Sequence, residues 1–169
     1  MVLMALSTRV LTADDADAWK ALRIEAVEAY PSAFLASAEE ARAMPPETVA
    51  QMLAQGMTLG LFEGAELAGM AGLRRLPFAR AAHRVEIGGF YIRPRLHGEG
   101  AAERLMQAIV DHAMALGVWQ LELCVAEQNA RAIRFYERRG FVRQGRMPNT
   151  VVGPDGPETD LFYTRDLRG

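Results

Sequence analysis

The 169 residues are half apolar and 24% charged, with a net charge of −2, which suffices to bury a core under a hydrated surface. That balance excludes a long disordered tail and the basic stripe of a nucleic-acid binder, and no apolar run approaches the ~18 residues needed to span a membrane. The length favours a single domain over residues 1–169. The apolar stretch at residues 1–6 is too short for a signal peptide. Cys124 has no cysteine to pair with, which fits a reducing cytoplasm. His83, His97 and His112 stand apart, with no Cys or Asp cluster at ligand spacing, so no metal is expected.

In chain order, residues 8–11 read as a first strand. Thr12 with Asp15 resembles a capping box for a helix over residues 15–30, with Trp19, Leu22, Ala26 and Ala29 on one face and Pro31 as its stop. Residues 31–43 are a loop or short helical stretch. Pro45 and Pro46 open another helix, with Val49, Met52 and Leu53 facing inward and Gly56 past its end. Strands at 57–62 and 67–73 flank the turn Glu63-Gly64-Ala65-Glu66. Residues 84–92 form a longer strand, in which Gly88 and Gly89 suggest a bulge or a close approach by another backbone or a ligand. A helix over 100–116 carries the stripe Ala102, Leu105, Met106, Ile109, Ala113 and Leu116, and Gly117 ends it. A buried strand at 118–125 precedes a helix from Asn129 to Arg139, stopped by Gly140, and strands at 141–152 and 159–167 close the chain. The order predicts an α/β fold: a mixed, mostly antiparallel sheet of six to seven strands with helices on both faces.

The segment Arg93-Pro94-Arg95-Leu96-His97-Gly98-Glu99-Gly100-Ala101-Ala102 enters the long helix. A helix N-terminus offers unpaired amide N–H groups and a partial positive charge, and small residues let an anion approach them. Arg93, Arg95 and Arg104 add positive charge nearby. The segment therefore reads either as a phosphate or pyrophosphate cradle or as a plain turn whose glycines serve geometry alone. A Rossmann fingerprint is the rival: Gly98-x-Gly100-x-x-Glu103 lacks its third glycine, although Glu122 falls near the spacing of a ribose-binding acid. The P-loop is excluded, because no Gly-Lys-Ser/Thr follows.

The second informative segment is Asn129-Ala130-Arg131-Ala132-Ile133-Arg134-Phe135-Tyr136-Glu137-Arg138-Arg139-Gly140-Phe141. Taken alone it is an amphipathic helix with a solvated basic face and a core tyrosine. Together the two segments resemble the GCN5-related N-acetyltransferase (GNAT) superfamily. His97-Gly98-Glu99-Gly100-Ala101-Ala102 aligns with its Gln/Arg-x-x-Gly-x-Gly/Ala phosphate motif, Tyr91-Ile92-Arg93-Pro94 is similar to the strand before it, and the Asn-x-x-Ala-x-x-Phe-Tyr-x-x-x-Gly-Phe pattern is matched in full. His97 departs from the usual Gln or Arg, which removes a side-chain contact and leaves a backbone one.

The resemblance implies an acyl-CoA N-acyltransferase fold and acetyl transfer from acetyl-coenzyme A to the amine of a small molecule or peptide, by direct attack in a ternary complex. It implies cofactor contacts from Phe90, Tyr91, Ile92, His97, Gly98, Glu99, Gly100, Ala101, Ala102, Asn129 and Tyr136. Residues 90–92 would splay from residues 121–125 and pair with the pantetheine arm like an added strand. Tyr136 would be the general acid toward the leaving thiolate, and Glu86 or a water chain the base. Asn129 can cap its helix, contact the cofactor, or do both. Cys124 reads as a small buried hydrophobe, without a base to make it a nucleophile. A non-catalytic acyl-CoA-binding module is the alternative from another class. The last hairpin offers edges that could pair in a homodimer.

Overall fold

A computed structural model of the chain describes residues 5–169. Residues 1–4 of the apolar stretch weighed above as a leader lie outside the described residues. The strands β1 (Leu6–Val10), β2 (Thr58–Glu63), β3 (Glu66–Arg74), β4 (Arg84–Ile92), β5 (Gln120–Ala126), β6 (Val142–Gly153) and β7 (Gly156–Asp166) form one mixed sheet. Its order is β1-β2-β3-β4-β5-β7-β6. The helices are α1 (Ala16–Ala29), α2 (Ala38–Ala43), α3 (Pro46–Leu53), α4 (Ala101–Ala115) and α5 (Ala130–Arg138). The β4–β5 pair is parallel, whereas β1–β2, β2–β3, β5–β7 and β6–β7 are antiparallel. A Rossmann sheet is mostly parallel, so this topology removes that rival.

The chain divides into two compact units, Met1–Leu73 with Gly89–His112, and Arg74–Gly88 with Ala113–Gly169. In the first unit, α1 and α3 lay Trp19, Leu22, Ala26, Val49 and Leu53 against Phe62, Leu67, Met70 and Tyr91. Asp15 is drawn back onto the chain before it: the Thr12 N–H donates to its carboxylate at 2.8 Å, and the Arg9 guanidinium at 2.7 and 2.8 Å. A 3-10 turn, Ala13–Asp15, forms there, and α1 starts one residue later than expected. Val27 is buried and Ala29 is exposed at the helix end, the reverse of its expected place on the inner face. The stretch 31–43 resolves into a 3-10 turn and α2. The capping box of α2 pairs the Glu40 N–H with Ser37 Oγ at 3.1 Å and the Ser37 N–H with Glu40 Oε2 at 2.7 Å.

In the second unit, β5 is flanked by β4 and β7 and alternates in side-chain direction. Leu121, Leu123 and Val125 are buried on one face, while Gln120, Glu122 and Cys124 project from the other. The β6–β7 hairpin turns at Gly153 and Gly156 and carries irregularities at Arg143/Gly145 and Met147/Val151, where Asn149 takes φ +58°.

Candidate active site

In the first unit, the turn into α4 is anchored by the buried Leu96 and by His97, whose Nε2 lies 2.8 Å from the Ile92 carbonyl oxygen. Gly98 and Gly100 follow at φ +83° and +76°, conformations an L side chain resists. A Cβ built at either position meets no atom within 4 Å, so the turn opens outward. The first helical bond runs from the Arg104 N–H to the Gly100 carbonyl at 3.0 Å. The amides of Ala101, Ala102 and Glu103 therefore precede the helical ladder and point from the positive end of α4. Ala101 is buried beneath the turn, Ala102 half-buried, and Glu99 exposed.

The arginines expected to lend charge to the turn are engaged elsewhere. Arg93 binds both Glu25 oxygens at 2.9–3.1 Å and also Glu66. Arg95 binds Glu63 at 2.6 Å and Glu66 at 2.8 Å, and Arg104 donates to the Leu6 carbonyl at 3.1 Å. Carboxylates neutralise Arg93 and Arg95, whereas Arg104, bonded to a neutral carbonyl, keeps its positive charge beside the first turn of α4. Tyr91 donates to Glu25 at 3.0 Å; burial first, then that carboxylate, pushes its phenol well above the ordinary value. With the Tyr91 and Ile92 side chains buried and Phe90 half-buried, residues 90–92 can offer a ligand mainly their backbone. Gly89, one of the paired glycines, takes φ +60° within β4, a backbone conformation outside the strand region. The Arg23 guanidinium occupies the place a Cβ there would need and stacks on Phe34 at 4.6 Å.

In the second unit, the parallel ladder joins Arg84↔Gln120, Val85↔Leu121 and Glu86↔Glu122. Beyond it, Leu123, Cys124, Val125 and Ala126 pair with β7 on their other side. Glu86 accepts from the exposed Arg74 guanidinium. A cavity of about 200 Å³ is lined by Arg74, Leu76, Arg84, Val85, Glu86 and Glu122. Glu122 is held by Arg84 at 2.7 and 2.9 Å and by the Gln120 side chain at 2.8 Å. No motif in the sequence marks Arg74, Arg84 and Glu122 for this place. Their signal was the alternation of charged and apolar residues along β4 and β5.

Cys124 is exposed, not buried as expected, because it lies on the charged face of β5. Its thiol is pushed up to about 11, first by partial loss of water and then by Glu86 and Asp160, so it is neutral at pH 7 and a poor nucleophile. Tyr136 is buried, with Phe135 and Phe141 edge-on at 5.4 and 5.7 Å, and burial raises its phenol well above 10. Asn129 caps α5, its Oδ1 accepting from the Ala132 N–H at 3.1 Å. Among the described residues, no three His, Cys, Asp or Glu side chains gather as metal ligands would, and no helix is long and apolar enough to cross a membrane.

A hairpin-led mixed sheet with a parallel β4–β5 step, a left-handed glycine in the fourth strand and a glycine turn opening the following helix defines the acyl-CoA N-acyltransferase class of fold. Residues 19–141 match the model of the Acetyltransferase (GNAT) family, and the chain belongs to that family. An uncharacterized N-acetyltransferase of Mycobacterium tuberculosis is 39% identical over 61 residues, 36% of this chain and 39% of that protein, so the match spans about two fifths of the relative's length. Among solved structures, a GNAT-family acetyltransferase from Streptococcus pneumoniae superposes with a TM-score of 0.84 at 19% identity, over 96% of this chain and 99% of that one. A Salmonella typhimurium protein solved with its cofactor acetyl-CoA superposes with a TM-score of 0.80 at 22% identity, over 96% and 94%. At these identities the structural likeness is one of fold.

Proposed function

We propose that this chain is an acetyl-CoA-dependent N-acetyltransferase, a single domain that acetylates the amine of a small molecule or peptide by direct attack in a ternary complex. The observation that carries the reading is the turn at Gly98 and Gly100, where positive φ and open space present the first amides of α4 to an anion. The cofactor supplies an activated thioester. On this reading His97, Gly98, Glu99, Gly100, Ala101 and Ala102 hold its pyrophosphate through backbone N–H groups. The backbone of Phe90, Tyr91 and Ile92 lies along its pantetheine arm, and Asn129 and Tyr136 contact it as well.

Each remaining step belongs to a residue of the chain. Glu86, directly or through water, takes the proton of the incoming ammonium so that a neutral amine can attack. Tyr136 keeps its proton at every physiological pH and donates it to the departing sulfur. Burial raises its phenol above the ordinary value, which keeps it protonated and makes it a weaker acid toward the departing thiolate. Holding amine and thioester together contributes on the order of 7 kcal/mol to lowering the barrier in favourable cases. We place the protein in the cytoplasm, acting without metal, nucleic acid or membrane. β6 stands at the edge of the sheet, so a homodimer through that strand is the assembly to look for by sedimentation.

The test is calorimetric binding of acetyl-CoA followed by thiol release against a broad panel of amines. Binding with turnover supports the reading. Binding with no thiol released by any amine favours the non-catalytic acyl-CoA module, and absence of binding removes both.

A further inference from the structure

The acceptor's charge pattern is written into the cavity beside Glu86, and this inference rests on the acetyl-transfer reading. The wall carries two arginines and two glutamates, so it has no surplus charge of either sign. The two ion pairs differ in kind. Glu122 has a side chain only 8% exposed and takes three hydrogen bonds from Arg84 and Gln120, which makes that pair a fixed floor. Arg74 is 72% exposed and among the described residues its one carboxylate partner is Glu86, so it is a displaceable cover over the carboxylate that the proposed reaction uses. Exposed pairs of this kind are weak and exchange readily with solvent or ligand.

A purely cationic amine reaching Glu86 would expel Arg74 into water and leave two cations contending for one carboxylate. A zwitterion exchanges partners: its ammonium takes Glu86 while its carboxylate takes the freed Arg74, whose planar fork suits a carboxylate. The cavity, at about 200 Å³, falls below the roughly 300–1,000 Å³ that encloses a drug-sized ligand. Leu76 offers it one apolar wall. We propose that the acceptor is a small zwitterion, an α-amino acid or close analogue with a carboxylate beside its free amine. Arg74 is then the residue that selects it, by leaving Glu86 to grip the carboxylate.

The test measures kcat/KM for thiol release from acetyl-CoA with the common α-amino acids, each beside its primary amide and its decarboxylated amine, and with spermidine, kanamycin and a short peptide. The best amino acid is expected to exceed its own amide by about tenfold to a hundredfold, the loss typical of one hydrogen bond to a charged group. Arg74→Ala should bring that ratio to near one. Arg74→Lys should restore part of it. Unfolding would slow every acceptor alike and cannot produce this pattern. Preference for amide, diamine, aminoglycoside or peptide over every free amino acid overturns the proposal and leaves acetyl transfer standing, as does an unchanged ratio in Arg74→Ala. No release with any acceptor overturns both.

Discussion

Two glycines at opposite ends of α4 allow the phosphate turn to be tested against a matched control. Gly100 at φ +76° precedes the helix and Gly117 at φ +75° follows it, and a Cβ added at either meets nothing within 4 Å. Alanine at each position therefore carries the same cost, left-handed backbone strain of about 1–2 kcal/mol without a clash. For a chain of this size that lowers Tm by roughly 2–8 °C. At Gly117 nothing further should happen, because it follows the last residue of the 15-residue α4 and is no part of the turn that opens it. At Gly100 the methyl projects into the space that the pyrophosphate would take, so acetyl-CoA affinity should fall at least about tenfold, or 1.4 kcal/mol, beyond any stability effect. Differential scanning fluorimetry reads the first quantity and calorimetry on folded protein the second. Equal melting losses with unchanged affinity in Gly100→Ala would refute the claim that the backbone at this turn cradles the cofactor.

Other substitutions separate chemistry from structure. Tyr136→Phe should lower kcat by about a hundredfold or more while leaving the Kd for acetyl-CoA near that of the wild type; full turnover would remove the acid role. Glu122→Ala strands the partly exposed Arg84 and should cost about 1–3 kcal/mol in urea unfolding, less than a wholly buried pair because Arg84 keeps 36% of its exposure. Asp15 titrates at about 2 in the folded protein, held down first by the Arg9 hydrogen bond, against 3.8 for a free side chain. A depressed folded pKa stabilises above the unfolded value and is lost as pH falls, so Asp15 should contribute in full above about pH 4 and cease to contribute near pH 2. In Asp15→Asn the stability curve should be flatter across that window, and an identical curve would show that the pair contributes nothing.

What could be read from the chain alone divides by the range of the interactions involved. The turn at Gly98 and Gly100, the stop at Gly117 and the inward stripe of α4 from Leu105 to Ala113 follow from rules spanning a few residues: helical period, positive φ and the exposed amides of a helix end; Leu116, expected on that stripe, is exposed past the last residue of α4. The charges did not yield to such rules. Arg93 and Arg95 look like phosphate ligands beside the glycines, yet they are taken by Glu25, Glu63 and Glu66, far along the sequence. Cys124 departs from its expected burial for a different reason: the alternation Gln120-Leu121-Glu122-Leu123-Cys124 sets it on the polar face, but a lone cysteine between apolar neighbours invites a buried assignment. The cavity beside Glu86 needed the most information, because Glu86 meets Glu122 only through the parallel register of β4 and β5. A shift of one residue would send one of those carboxylates to the opposite face. On the proposed reading, the motif for a cofactor shared by many enzymes is local, whereas the acceptor's determinants would arise from register and from which arginine each carboxylate holds. That difference is why the free amino acid and its amide, compared in wild type and Arg74→Ala, ask something of this protein that its glycine motif cannot answer.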